Sequence, residues 1–167
     1  MTPYLLVQEM KKVLGNMTGW LTKATAHAQA KKFEPSVLLE ARIAPDMFPL
    51  LRQVQFTCDA AKFAAGRVAN KEMPSFPDDE KTFEDLHARI AKTIAYLDTF
   101  TEADFAAADK HTLALPRWEG KSMIAAEYQV EHATPNFFFH ATTTYLLLRH
   151  NGVDVGKRDF LGALTLR

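Results

Sequence analysis

Four long segments of this sequence place apolar residues at alternating spacings of four and three, the repeat of an α-helix with one buried face. The first segment follows Pro3, which suits a first helical turn, and ends near residue 31 at the letters KKFEPS. Its apolar positions are Leu6, Met10, Val13, Met17, Trp20 and Ala24, with Leu14 and Leu21 beside them. A stripe of this length predicts a helix that packs in a bundle.

The second and third segments have the same repeat. The second predicted helix begins at APDMFP and runs to about Asn70, because Pro45 and Pro49 cost little where the first amides have no helical partner. The third begins after Asp78 and Asp79, whose carboxylates are expected to cap it. The apolar lines of the two helices are Met47, Leu51, Val54, Cys58, Ala61, Ala65 and Val68, and Phe83, Leu86, Ile90, Ile94, Leu97 and Phe100.

The fourth predicted helix covers Ser122 to His150, and Gly152 is expected to end it in a left-handed conformation. Before it, the letters HTLALPRWEG break the helical repeat and predict a loop or a short extended excursion. Pro135 lies inside this helix. Either it kinks a continuous helix, or Thr134 caps a new helical segment that begins with Pro135.

These segments predict an all-α fold, a four-helix bundle with a long connection between helices 3 and 4. The chain has 167 residues, which is about the length of one domain. We therefore expect residues 1–167 to form a single helical-bundle domain.

Charge and cysteine content restrict the partners and the location. The 20 basic and 20 acidic side chains balance, so no basic field exists to attract nucleic acid, and we expect no nucleic-acid partner. No apolar run reaches about 18 residues, so no membrane span is expected. The one cysteine, Cys58, excludes an internal disulfide. Together with an N-terminus that lacks a signal-peptide pattern, it predicts a cytoplasmic protein.

The stretch HATPNFFFHATTTYLLLRHNG, residues 132–152, combines polar side chains with three consecutive phenylalanines. His132, Asn136 and His140 are spaced by four, so Asn136 and His140 converge on one side of the predicted helix. The phenylalanines desolvate His140 and favour its neutral form. Gln55 and Asp59 lie at the edge of the apolar line of the second helix. We predict a polar pocket formed by Gln55, Asp59, Asn136 and His140.

His140 has two interpretations. It is a metal ligand, with Asn136 and Asp59 as partners and zinc or nickel as the ion, or it is a histidine satisfied by hydrogen bonds without metal. The second interpretation is favoured because an asparagine amide is a poor zinc ligand. Lys62 is expected to face solvent. Cys58 is expected to be buried and inert, because its neighbours are apolar.

Three stretches carry a resemblance to a known family: FEPSVLLEARIAPDMFPLLRQVQFTCDAAKFAAGRV, PSFPDDEKTFEDLHARIAKTIAYLD and HATPNFFFHATTTYLLLRHNGVDVGKRDFLG. They resemble the DUF1993 family, which belongs to the DinB/YfiT-like group of four-helix bundles. The resemblance covers nearly the whole chain and implies that fold, commonly with dimerisation through helix faces. We therefore expect a homodimer.

The resemblance also implies a location for a metal site. Proteins of the wider group often bind a divalent metal through three histidines, one on the second helix and two in an HxxxH pair on a later helix. Asn136 with His140 resembles that pair with its first histidine replaced, and the second helix has Gln55 or Asp59 in the corresponding region. Three functions follow as hypotheses: an enzyme or degenerate metalloenzyme, a non-catalytic protein that binds a small-molecule ligand, and a structural bundle without a pocket.

Overall fold

The computed structural model describes residues 2–166. Its four long helical segments are α1 (Pro3–Lys31), α3 (Leu50–Val68), α4 (Phe83–Leu97) and the last one, which contains α5 (Ala125–Tyr128) and α6 (Thr134–His150). Helices α4 and α6 each pack against both α1 and α3, and α1 also contacts α3. One apolar core fills the space between them. The predicted all-α bundle is confirmed.

Helix α1 begins and ends as its sequence predicts. The Thr2 hydroxyl accepts a hydrogen bond from the Leu5 amide, and Pro3 occupies the first turn. Lys32 closes the helix in the left-handed conformation, with φ of 61°. The buried side chains are Val7, Met10, Val13, Leu14, Met17, Trp20, Leu21, Ala24 and Ala28.

The second long helix starts later than predicted. Residues 43–47 form bends and turns, and α3 begins only at Leu50, after the short helix α2 (Ser36–Leu39). Pro49 precedes the first turn with extended backbone angles, φ of −71° and ψ of 168°. The helix starts late because the ring of a proline sterically disfavours helical backbone angles at the residue before it. Both Ala44 and Phe48 precede prolines.

Helix α4 is capped by other residues than Asp78 and Asp79, so that prediction is wrong. The Thr82 hydroxyl accepts from the Asp85 amide at 3.1 Å, and the Asp85 carboxylate accepts from the Thr82 amide at 3.0 Å. This reciprocal capping box satisfies two free amides at once. Asp78 instead pairs with Arg52 and Arg89.

The long connection between α4 and the last helical segment is confirmed, and it contains more structure than the sequence indicated. It includes two 3₁₀ turns, Glu102–Phe105 and Pro116–Trp118. Strand β1 (Thr112–Leu113) pairs antiparallel with β2 (Met123–Ile124), so the predicted start of the last helix moves to Ala125.

Of the two interpretations of Pro135, the continuous helix is the one observed. A π-helical turn, Gln129–Ala133, joins α5 to α6, and the Thr134 amide donates to the Gln129 carbonyl five residues earlier. The Thr134 hydroxyl donates to the same carbonyl at 2.7 Å and does not cap a new helix. The widened turn brings Pro135, which has no amide hydrogen, into the helix.

Gly152 ends α6 with φ of 84°, as predicted. The C-terminal segment then forms the short helix α7 (Lys157–Leu161), which packs against α1. The Trp20 indole stacks on Phe160 with a centroid distance of 5.3 Å and donates to the Asp159 carbonyl at 3.0 Å. No helix within residues 2–166 combines the length and the apolar character that a bilayer crossing requires.

Candidate functional site

A cavity of about 280 Å³ lies between α3 and the last helical segment, with the 3₁₀ turn Pro116–Trp118 at its edge. The residues that line it are Phe56, Asp59, Ala60, Phe63, Arg67, Arg117, Tyr128, His132, Ala133, Asn136 and His140. This volume is just below the range of about 300–1,000 Å³ that is typical of small-molecule sites.

Helix α3 contributes one face to the cavity. Phe56, Ala60, Phe63 and Arg67 are separated by four, three and four residues, so they lie above one another along the helix. Gln53 lies on the same side, where α6 packs. The side chain of Gln55 is on the other side, because residues two positions apart on an α-helix point in directions that differ by about 200° around its axis.

The imidazole of His140 is fixed by Gln53. Nδ1 of His140 lies 2.8 Å from Oε1 of Gln53, and Nε2 of Gln53 donates to the Phe48 carbonyl at 3.1 Å. The second bond assigns Oε1 as the acceptor, so the His140 Nδ1–H donates to it. A neutral His140 therefore carries its proton on Nδ1, and its Nε2 lone pair forms no hydrogen bond within residues 2–166.

Aromatic side chains surround this imidazole. The ring centroids of Phe56 and Phe139 lie 5.1 and 5.2 Å from that of His140. Burial lowers the pKa of His140 below its ordinary value of 6.5. His140 is consequently a neutral base at neutral pH.

His132 lies eight residues before His140, inside the π-helical turn, and is also biased towards the neutral form. Its ring stacks on Tyr128 with a centroid distance of 5.2 Å, and its Nε2 accepts a hydrogen bond from Arg117. Burial, and secondly the positive charges of Arg117 and Arg67, lower its pKa. Because an arginine only donates, His132 must accept at Nε2 and carry its proton on Nδ1.

Asp59 reaches the cavity wall from a buried ionic cluster. Its Oδ2 lies 3.1 Å from Nη2 of Arg89, and its Oδ1 lies 2.9 Å from Nζ of Lys62. Lys62 is buried, contrary to the expected exposure, because this carboxylate and the rings of Phe63 and Phe76 surround its ammonium group. Two cations thus compensate the charge of Asp59.

The structure brings Asp59, Asn136 and His140 to one cavity, whereas Gln55 lies outside it. The Gln55 amide accepts from Arg52 at 2.6 Å and donates to Glu80 at 2.6 Å. It belongs to the ionic cluster on the other side of α3.

Sequence reasoning missed Gln53, which fixes His140. It also missed Arg67, Arg117 and Tyr128 of the cavity lining. One signal was present: Phe56, Phe63 and Arg67 share a helical face. No sequence signal places Arg117 or Tyr128 beside them, because the long connection and the π-helical turn determine where these residues lie.

The donor groups do not fit the divalent metal site that the resemblance implies. No group of three or more His, Cys, Asp or Glu side chains within residues 2–166 is arranged to hold a metal ion. Asp59 is held by two cations, which repel a metal ion, and Nδ1 of His140 already donates to Gln53. One imidazole nitrogen and the Asn136 amide are too few ligands for the four-coordinate sites typical of zinc.

Cys58 takes no part in the cavity. It is fully buried, and burial raises the pKa of its thiol to about 12. A thiol with this pKa is a poor nucleophile at neutral pH.

A helical bundle is the class of protein that comparison with a known structure also indicates. The chain is similar to a crystal structure of a DinB family member from Shewanella denitrificans, with 45% sequence identity and a TM-score of 0.95. The similarity covers 98% of this chain and 94% of that one, and it confirms the DinB-like bundle.

A family model described as "Domain of unknown function (DUF1993)" matches residues 4–161. The chain belongs to the DUF1993 family. Among curated proteins, none matches this sequence.

Proposed function

We propose that the protein binds a small organic molecule in the cavity between α3 and α6, and that His140 accepts a hydrogen bond or a proton from it through Nε2. The observation that carries this proposal is the hydrogen bond from His140 Nδ1 to Gln53 Oε1. It fixes the ring and its tautomer, so the lone pair on Nε2 is the group left for a ligand.

The surroundings of His140 support a role in proton transfer. A base acts best when it is unprotonated at the working pH, and burial lowers the pKa of this ring. The aromatic rings on the cavity wall supply apolar contact area, and the Asn136 amide lies four residues before His140 on the same face. A binding protein without catalysis would use the same contacts.

A fragment screen by ligand-observed NMR tests the proposal. Ala60 lines the cavity, so Ala60→Met places a larger side chain inside it. Ala91 is exposed on α4, and Ala91→Met is the matched control. We expect fragments to bind the wild type and Ala91→Met and to lose binding in Ala60→Met. Fragments that bind all three proteins equally, or none, would contradict the proposal.

A different observation supports the expected homodimer. Four large apolar side chains on α6 and on the segment before α3 are about half exposed: Ile43, Phe48, Phe139 and Leu146. Ile43 and Leu146 line one shallow depression together with His150. We propose that this surface pairs two copies of the chain.

Analytical ultracentrifugation tests the dimer. It should give twice the monomer mass of 18.8 kDa for the wild type, and the monomer mass for Leu146→Asp. A monomeric wild type at high concentration would refute the dimer.

A further inference from the structure

Two arginines face the cavity without a carboxylate partner. Arg67 comes from the last turn of α3, and Arg117 comes from the 3₁₀ turn of the long connection. Neither forms an ion pair with an Asp or Glu of residues 2–166, whereas Arg52, Arg89 and Arg149 each do. Arg42 and Arg158 also form no such ion pair, but they are exposed and do not line the cavity, so Arg67 and Arg117 are distinguished by lining one cavity together.

Both guanidinium groups are held in place by uncharged partners. Nη1 of Arg67 donates to the Tyr128 hydroxyl at 2.9 Å, and the group lies 4.2 Å from the centre of the Phe63 ring. Arg117 donates to Nε2 of His132. A guanidinium has five N–H donors, so each arginine keeps donors for a ligand while its position is fixed.

The other lining residues do not cancel this charge. Asp59 is the one acidic residue among those that line the cavity, and its carboxylate is paired with Arg89 and Lys62. The cavity therefore has an excess of positive charge at the end where Arg67 and Arg117 lie.

The polar groups of the cavity are spread along its length. Positions 56 and 67 of α3 are separated by 11 residues, which is about 16 Å along a helix. Phe56 packs against His140 near one end, and Arg67 lies at the other. The wall between them contains Phe63 and Ala60, which are apolar.

We infer that the ligand is a small organic carboxylate: its carboxylate group lies between Arg67 and Arg117, and its apolar body extends along Phe63 towards His140. Arginine forks match the two oxygens of a carboxylate, and the aromatic wall takes an apolar body. The small volume favours one compact ligand. This inference rests on the proposed function, because it assigns the class of ligand that the same cavity binds.

Matched pairs of probes test the charge of the ligand. Each pair contains a carboxylate and its neutral amide, such as benzoate with benzamide and 3-phenylpropanoate with 3-phenylpropanamide. Binding is measured by ligand-observed NMR, and the ring resonances of His132 and His140 report occupancy of the cavity. We expect the carboxylate of each pair to bind more tightly by about tenfold or more.

Variants connect this preference to the two arginines. Arg67→Gln and Arg117→Gln should each weaken carboxylate binding by about tenfold and leave amide binding nearly unchanged. Arg67→Lys retains the charge and should retain part of the preference, which controls for a loss of folding. Arg158→Gln removes the same charge from an exposed position on α7, outside the cavity, and should have no effect.

The outcomes separate the two proposals. Equal binding of carboxylates and amides, with shifts at His140, would overturn the carboxylate inference and leave the proposed function in place. If no probe of either kind perturbs His132 or His140, both proposals fail. A carboxylate preference that persists in both Gln variants would also overturn the assignment to Arg67 and Arg117.

Discussion

Gln53 and Gln55 stand two residues apart on α3, and their side chains serve opposite sides of the bundle. Gln53 accepts a hydrogen bond from His140 of α6, and Gln55 donates to Glu80 ahead of α4. The cavity and the ionic cluster thus lie on different sides of α3, and Asp59 takes part in both.

Gln53→Glu should raise the pKa of His140. A carboxylate in place of the amide stabilises the imidazolium, and an opposite charge at this distance shifts a pKa by about one to three units. A histidine NMR titration measures the change, and the His87 signal on α4 is the internal control. An unchanged pKa of His140 would mean that the two side chains do not meet in solution.

The stability of the protein should fall as the pH decreases from about 7.5 to about 5.5. The pKa values of His132 and His140 are lowered in the folded state, so the unfolded chain binds these protons at a higher pH. Acid then favours the unfolded state as the pH falls below the ordinary value of 6.5. Urea midpoints across this interval measure the effect.

The double variant His132→Gln with His140→Gln should show a smaller fall over the same pH interval. Carboxylates with a lowered pKa, such as Asp78, lose their contribution only as the pH falls below the ordinary value of 3.8, outside this interval. If the wild type and the double variant respond equally to pH, other groups are responsible.

Arg89→Met should destabilise the fold by about 3–5 kcal/mol. The Arg89 side chain is fully buried and contacts three carboxylates, those of Asp59, Asp78 and Glu80, at 3.0–3.1 Å. Its removal leaves the buried carboxylate of Glu80 without a cation, whereas Asp59 and Asp78 keep Lys62 and Arg52. Urea unfolding measures the loss.

Lys11→Met is the matched control for Arg89→Met. Lys11 pairs with Asp98 at 2.7 Å on the surface, where an ion pair contributes about 0–1 kcal/mol. Equal effects of the two substitutions would show that the cluster around Arg89 is solvated.

Gly66→Ala and Gly15→Ala should change stability in opposite directions. A Cβ at Gly66 would lie 2.2 Å from Cγ of Met73 and 2.8 Å from the Tyr96 hydroxyl, so overpacking should cost about 1–3 kcal/mol. Gly15 is exposed on α1 with open space around it, and alanine should stabilise the helix there by about 0.5–1 kcal/mol. Thermal melts of both variants measure this, and a stabilised Gly66→Ala would contradict the close packing.

The long helices could be predicted from sequence because burial of one helix face requires apolar residues at spacings of three and four, and this spacing is visible in the sequence. Helix starts were harder. Asp78 and Asp79 are good caps in isolation, but Arg52 and Arg89 approach Asp78 from distant parts of the chain, and Thr82 with Asp85 caps α4. Such competition between local and tertiary partners is not visible in one sequence.

Only those cavity residues that share one face of the same helix could be predicted to lie together. The spacing of Asn136 and His140 indicated a shared face, but the choice between Gln53 and Gln55 depends on which side of α3 meets α6. Arg117 reaches the cavity from an irregular connection whose sequence has no repeat.

The homodimer, the cytoplasmic location and the absence of a nucleic-acid partner stay predictions.

The π-helical turn Gln129–Ala133 acts on the last helix as a one-residue insertion, because its hydrogen bond spans one residue more than an α-helical one. Tyr128 and His140 are twelve positions apart, which on an unbroken α-helix would set them about 120° apart around the axis. With one residue absorbed by the turn, the offset is about 20°, so both can face the same cavity. Relatives that gained or lost one residue here would therefore differ in what the cavity presents to a ligand, even with every lining side chain unchanged.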